Sequence, residues 1–134
     1  MNYWLLKSEP FKYSWNDFTS DGITYWDGVR NYQARNNLKA MKTGDKALFY
    51  HSNKGLEVVG VAEVVSAHYQ DPTTEDERWV VVDIKPLKRL KNPVRLSEIK
   101  SEPLLKGIPL IKQSRLSVMP LSKKEYDKII SMSG

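Results

Sequence analysis

The stretch from Lys46 to Tyr69, KALFYHSNKGLEVVGVAEVVSAHY, constrains the fold more than any other part of the chain. Two runs rich in Val, Phe and Tyr, at 46–52 and 57–69, are separated by NKG. β-Branched and aromatic residues suit a pleated, half-buried surface, and Gly55 can take the positive φ of a tight turn. The spacing therefore predicts an antiparallel hairpin. Gly60 interrupts the second run, which predicts a bulge or a barrel corner there.

Other strand-like runs lie on either side. NYWLLK (2–7) reads as a first strand, RWVVVDIKPLKRL (78–90) as a third long one after the turn-like DPTTEDE, and RLSVMPL as a late extended segment. Helices fall between them. Ser14 and Asp17 have the spacing of a capping box for a short helix through Phe18, ended by TSDG. From Asn31 a second helix carries Ala34, Leu38 and Met41 as an apolar stripe at i, i+4, i+7. It closes at KTGD, where Gly44 suits a C-cap or turn. RLSEIKSEPLLKG holds one or two short helical turns. SKKEYDKIISM predicts a C-terminal helix capped by Ser122, with Glu125 at the capping-box position. Strands of changing direction with short helices between them indicate an α+β fold, a small mixed β-barrel with peripheral short helices. The 134 residues contain no repeat, low-complexity segment or linker, so one domain over 1–134 is expected.

Composition narrows the chemistry. The chain has no cysteine, which excludes disulfides, thiolate nucleophiles and Cys-ligated metals. MNYWLLKSEP has a short apolar run but no basic n-region, and no apolar run approaches the ~20 residues of a membrane span. No membrane partner is expected, and the expected location is cytoplasmic, or nuclear in a eukaryotic source. A net charge of +5 favours polyanionic partners without deciding the matter. His51 and His68 fit no compact metal motif. Neighbours on a strand point to opposite faces, so His51 and Ser52 make no nucleophile–base pair. No nucleophile elbow, P-loop or dinucleotide fingerprint occurs. The expectation is a non-catalytic protein with no metal and no cofactor.

The segment YWDGVRNYQARNNLKAM (25–41) concentrates stacking and hydrogen-bonding groups at one helix entrance. Trp4, Trp15 and Trp79 read as core residues. Trp26 sits in a turn-like stretch before Asp27 and Gly28, where glycine permits close backbone approach. A flat aromatic beside a helix N-terminus is a floor for a planar heterocycle, or simply packs. Asn31 either caps the helix or aims its amide at a base edge. Arg30 and Arg35 either contact phosphates and bases or form a solvated, salt-bridged face. The basic run KPLKRLKNPVR (85–95), with Lys88 and Arg89, is a solvated strand edge or a phosphate contact.

Seven blocks, YWLLKSEP, YSW, WDGVRNYQARNNLKAMKTGD, FYHSN, GVAEVV, WVVVDI and QSRLSV, resemble the EVE domain family in order and spacing. The match runs from Tyr3 to the C-terminal helix. The resemblance implies a PUA-like fold, related to YTH domains, and a non-catalytic module that reads a modified base flipped into an aromatic pocket. The implied partner is DNA, or alternatively RNA, carrying that base, bound by a monomer. Trp26 would then stack on the base. DGVRN, with Gly28, Val29, Arg30 and Asn31, would supply backbone and side-chain hydrogen bonds. YHSN and QSRLS, with His51, Ser52, Arg115 and Ser117, would form the other walls, with Ser8 nearby. Arg35, Lys88 and Arg89 are the candidate phosphate contacts. The competing readings are a small nuclease or base-processing hydrolase, and a pocket for a free nucleotide-like metabolite.

Overall fold

The computed structural model describes all residues from 1 to 134. Six strands form one mixed sheet: β1 (Tyr3–Ser8), β2 (Thr24–Tyr25), β3 (Lys46–His51), β4 (Glu57–Gln70), β5 (Val80–Arg95) and β6 (Val118–Leu121). Their order is β2-β5-β4-β3-β1-β6, with β1 and β3 parallel and the other pairs antiparallel. The helices are α1 (Trp15–Asp21), α2 (Tyr32–Ala40), α3 (Leu96–Ser101), α4 (Pro109–Lys112) and α5 (Lys123–Met132), with a 3-10 turn at Pro103–Leu105. None of them is long and apolar enough to cross a membrane.

The hairpin predicted from 46–69 is present, with Lys46 opposite Glu63 and His51 opposite Glu57. Its connection is longer than NKG, since residues 52–56 lie outside both strands. Asn53, Gly55 and Leu56 all adopt positive φ. Gly60 marks an irregularity in register, and the reason for glycine is steric. A Cβ there would sit 2.4 Å from Trp15 Cη2, so the indole of α1 rests directly on the backbone of β4. Trp15 meets Phe18 and Phe49 edge-on, and Phe18 stacks on Phe49 at 5.4 Å. These aromatics seat α1 on the hairpin.

Local capping sets the helix entrances. Ser14 and Asp17 form a reciprocal capping box, as do Ser122 and Glu125. Asn31 caps α2 by accepting the Ala34 N–H at 2.9 Å. Ala34, Leu38 and Met41 are buried as their spacing predicts. The helix ends at Ala40 with Met41 as its cap, so Gly44, at φ 95°, belongs to the following turn and not to the helix terminus. α2 packs against β6 at one end of the sheet and β5 near the other. Asn37 Nδ2 also donates to the Val118 carbonyl at 2.7 Å. The helix thus covers the opening between the sheet's ends and gives the sheet its barrel-like character.

β5 explains the basic run. β2 pairs only with Ile84 and Asp83, so residues 85–95 have β4 on one side and no strand on the other. Pro86 and Pro93 are tolerated on such an edge, and exposed Lys88, Arg89 and Lys91 discourage further pairing. Trp4 lies in the core with its indole N–H donated to buried Asp45 at 3.0 Å. Trp79 departs from the expected packing. It is buried apart from the main core, tilted against Tyr32 at 5.2 Å, with the Arg30 and Arg78 guanidinium groups near its ring.

Candidate functional site

Parallel neighbours β1 and β3 end side by side, tied by the Ser52 N–H to the Ser8 carbonyl at 2.9 Å. The chain then leaves β1 as the 9–13 turn and β3 as the 52–56 loop. Segments 24–29 and 114–117 complete a cavity of about 510 Å³ at these strand ends, within the usual range of small-molecule sites.

Each wall is fixed by a specific contact. Ser8 Oγ donates to the Tyr13 carbonyl at 2.5 Å, and the Tyr13 hydroxyl donates to Asp21 at 2.7 Å. Burial, with Asp21 nearby, pushes the Tyr13 phenol up to about 12, so it stays neutral and able to donate. Glu9 Oε1 accepts from Asn53 Nδ2 at 2.5 Å. Glu9 Oε2 lies 3.1 Å from Lys12 Nζ in an ion pair. Lys7 Nζ donates to the Ser114 carbonyl at 2.7 Å, and burial lowers its pKa. Arg115 borders the same space and makes no ion pair within the chain.

Trp26 borders the cavity but is only 8% exposed. Its backbone N–H donates to the Val82 carbonyl at 2.9 Å, and its ring meets Phe49 and Tyr13 edge-on at 5.6 and 6.3 Å. It is at once a core residue and a cavity residue. Gly28, at φ 77°, follows in the left-handed region, with its N–H directed to Asp71 Oδ2 at 3.2 Å. That carboxylate, wholly buried, also accepts from Arg30 Nη1 at 3.0 Å and from the Thr73 N–H at 2.7 Å. Burial raises its pKa, but the hydrogen bonds from Thr73, Arg30 and Gly28 outweigh that and bring it down to about 2.

Of the residues singled out from sequence, Ser8, Trp26, Gly28, Val29, Ser52, Arg115 and Ser117 border the cavity. Three other expected pocket residues do not. Arg30 turns away to Asp71 and the Trp79 face. Asn31 spends its side-chain oxygen on the helix cap. His51 Nε2 accepts the Trp15 backbone N–H at 3.1 Å, and burial lowers its pKa. Arg35 lies over the Tyr32 ring at 4.9 Å and bonds Asn36, while Lys88 and Arg89 occupy the exposed edge of β5, Arg89 reaching Asn16 at 3.4 Å. Asn53, in the implied wall YHSN, does border the cavity, but sequence reasoning missed Glu9, Lys12 and Tyr13, which follow Ser8 in KSEPFKY. Their signal was adjacency to a named residue on a turn.

The walls combine the aromatic side chains of Tyr13, Tyr25 and Trp26 with hydroxyls from Ser8, Thr24, Ser52, Ser114 and Ser117. Such a surface holds a planar, polar heterocycle by stacking and edge hydrogen bonds. No histidine borders it, and no three His, Cys, Asp or Glu side chains converge anywhere in the chain.

Comparison with known proteins matches residues 2–132 to the family model described as the EVE domain. Thymocyte nuclear protein 1 of Gallus gallus is 37% identical, over 97% of this chain and 68% of its own. A crystal structure of a protein from Agrobacterium tumefaciens is 47% identical, with a TM-score of 0.97 over 100% of this chain and 94% of that one. The structure of human THYN1 in complex with DNA containing 5-methylcytosine is 34% identical, with a TM-score of 0.92 over 99% and 98% of the two chains. The YTH domain of the Zygosaccharomyces rouxii MRB1 protein, at 17% identity and a TM-score of 0.63 over 98% and 86%, shares the fold. These likenesses make the mixed sheet with short helices PUA-like.

Proposed function

The chain belongs to the EVE domain family, and from that premise we propose that it is a non-catalytic reader of a modified base in DNA, flipped into the cavity beside Trp26. One observation carries the reading. An aromatic- and hydroxyl-lined cavity of about 510 Å³ occurs in a chain 34% identical to a human protein seen with 5-methylcytosine DNA.

The proposed mechanism is physical rather than chemical. Extruding a base costs a few kcal/mol, which stacking and edge hydrogen bonds offset inside the pocket. Trp26 supplies the aromatic face, and Ser8, Ser52, Ser117 and the Gly28–Val29 backbone meet the polar edge. A methyl group adds only ~0.8 kcal/mol on burial, so selectivity requires a wall that fits it closely. Arg115, Arg35, Lys88 and Arg89 are the proposed phosphate contacts, giving sequence-independent affinity. Residues 1–134 would act as one monomeric unit, in the bacterial cytoplasm or the eukaryotic nucleus.

The test compares three probes: an oligonucleotide with one 5-methylcytosine, the same sequence unmodified, and free 5-methyldeoxycytidine. Tighter binding of the methylated strand, with no cleavage or base release on incubation, is the expected result. Equal affinity for both strands overturns the reading. Tighter binding of the free nucleoside points to a metabolite site, and product formation points to an enzyme.

A further inference from the structure

Phe11 is 70% exposed, and among large apolar side chains only Met1, at the chain terminus, exceeds it. It lies in the turn that leaves β1, flanked by the cavity residues Glu9, Lys12 and Tyr13. Two residues span at most about 7 Å, so Phe11 stands within that distance of Glu9 and of Tyr13. The turn is tightly held. The Lys12 and Tyr13 N–H groups both donate to the Glu9 carbonyl at 2.9 Å. Glu9 is in turn bonded to Asn53, and the Tyr13 carbonyl to Ser8. These bonds fix the backbone that carries Phe11. The cavity's second border, at 24–29, repeats the feature with Tyr25 at 43% exposure, and Ile23, just before it, is 63% exposed. Single exposed apolar residues need no explanation. Here the two most exposed inside the chain, Phe11 and Ile23, sit on or beside segments that border one opening.

Resting on the reading above, we propose that Phe11 is the wedge that enters the base stack of duplex DNA and fills the space left by the extruded base. A base leaving the helix exposes the planar faces of its neighbours, and apolar side chains inserted at such steps replace the lost stacking. A phenyl ring suits this position because it has no hydrogen-bonding group to satisfy and every base offers it a π-face. The pocket would then recognise the modified base, while Phe11 would stabilise the gap behind it. The consequence is specific to strand state. Phe11 contributes on a duplex, where a gap forms, and not on a single strand, where none does.

The experiment measures dissociation constants of the full chain and of Phe11→Ala for one 5-methylcytosine oligonucleotide, single-stranded and as a duplex. The duplex carries 2-aminopurine next to the modified base as a fluorescent reporter of unstacking. Phe11→Ala is expected to weaken duplex binding by about 5- to 100-fold and reduce the fluorescence rise at saturation, leaving single-strand affinity within about twofold. Phe11→Trp should restore duplex binding. Unchanged duplex affinity for Phe11→Ala overturns the proposal and leaves Phe11 available to a protein partner. An equal loss on both strand states also overturns it, because Phe11 would then belong to the pocket. Failure of the underlying reading looks different. Wild-type protein would bind modified and plain oligonucleotides equally in either strand state, and the role of Phe11 would fall with it.

Discussion

Asp71 accepts the Gly28 N–H at 3.2 Å across 43 residues of chain, tying the loop between β4 and β5 to the segment that carries Trp26. Segment 26–31 has no regular secondary structure of its own. Its conformation depends on this carboxylate and on the Trp26 bond to Val82.

Asp71→Ala strands the Gly28 and Thr73 N–H groups and the Arg30 charge. A loss of about 2–3 kcal/mol is expected in urea unfolding. Modified-base affinity per folded molecule should fall as well, although Asp71 does not border the cavity. Unaltered affinity would show that the tie does not position the segment. The acid limb provides a second readout. Asp71 has a folded pKa of about 2 against an ordinary 3.8, so its contribution is fully present above 3.8 and is lost as pH falls through about 2. Wild-type stability should drop across that window, and the variant should drop less.

His51 works in a higher window. Burial holds its imidazole below the ordinary 6.5, with Arg89 adding to the effect and Glu57 opposing it. The unfolded chain therefore takes up the proton first. Stability is fully present above 6.5 and declines as pH falls through that value toward the folded pKa. His51→Gln keeps an acceptor for the Trp15 N–H and should flatten the urea midpoint between about pH 7.5 and pH 5. A variant with the wild-type slope would locate the titration elsewhere.

Because Trp26 is shared between core and cavity, Trp26→Ala should have two effects. Loss of a buried indole costs about 3–5 kcal/mol of stability. The folded fraction should also lose about 1–3 kcal/mol in binding a 5-methylcytosine strand. Binding per folded molecule measured below the new melting range separates them. Retained affinity would mean that Trp26 serves the core alone.

Arg30 and Arg115 should part company in salt titrations. Arg115 has no carboxylate partner and borders the cavity, so Arg115→Ala should flatten the log–log salt dependence of duplex affinity by about 0.9. Arg30 is committed to Asp71. Arg30→Ala should leave the slope intact, and the reverse pattern would exchange their roles.

What could be read from the residues in order was whatever their near neighbours decide. The Ser14–Asp17 and Ser122–Glu125 boxes and the Asn31 cap close within three residues. The Ala34, Leu38, Met41 stripe needs only the helical repeat, and the hairpin at 46–69 needs only β-rich runs and a turn. The seven blocks that resemble the EVE domain family extended that reading to the sheet as a whole and to a shortlist for the site.

Direction and partner choice across long separations were decided by the tertiary structure alone. Arg30 and His51 carry side chains suited to a pocket, yet Asp71 lies 41 residues from one and Trp15 36 residues from the other, and each claims its partner. Glu9 and Asn53 border the cavity because parallel pairing brings the ends of β1 and β3 together, which no local spacing encodes. Buried polar groups must find partners when water leaves. Which partner is nearest is fixed only once the sheet has assembled.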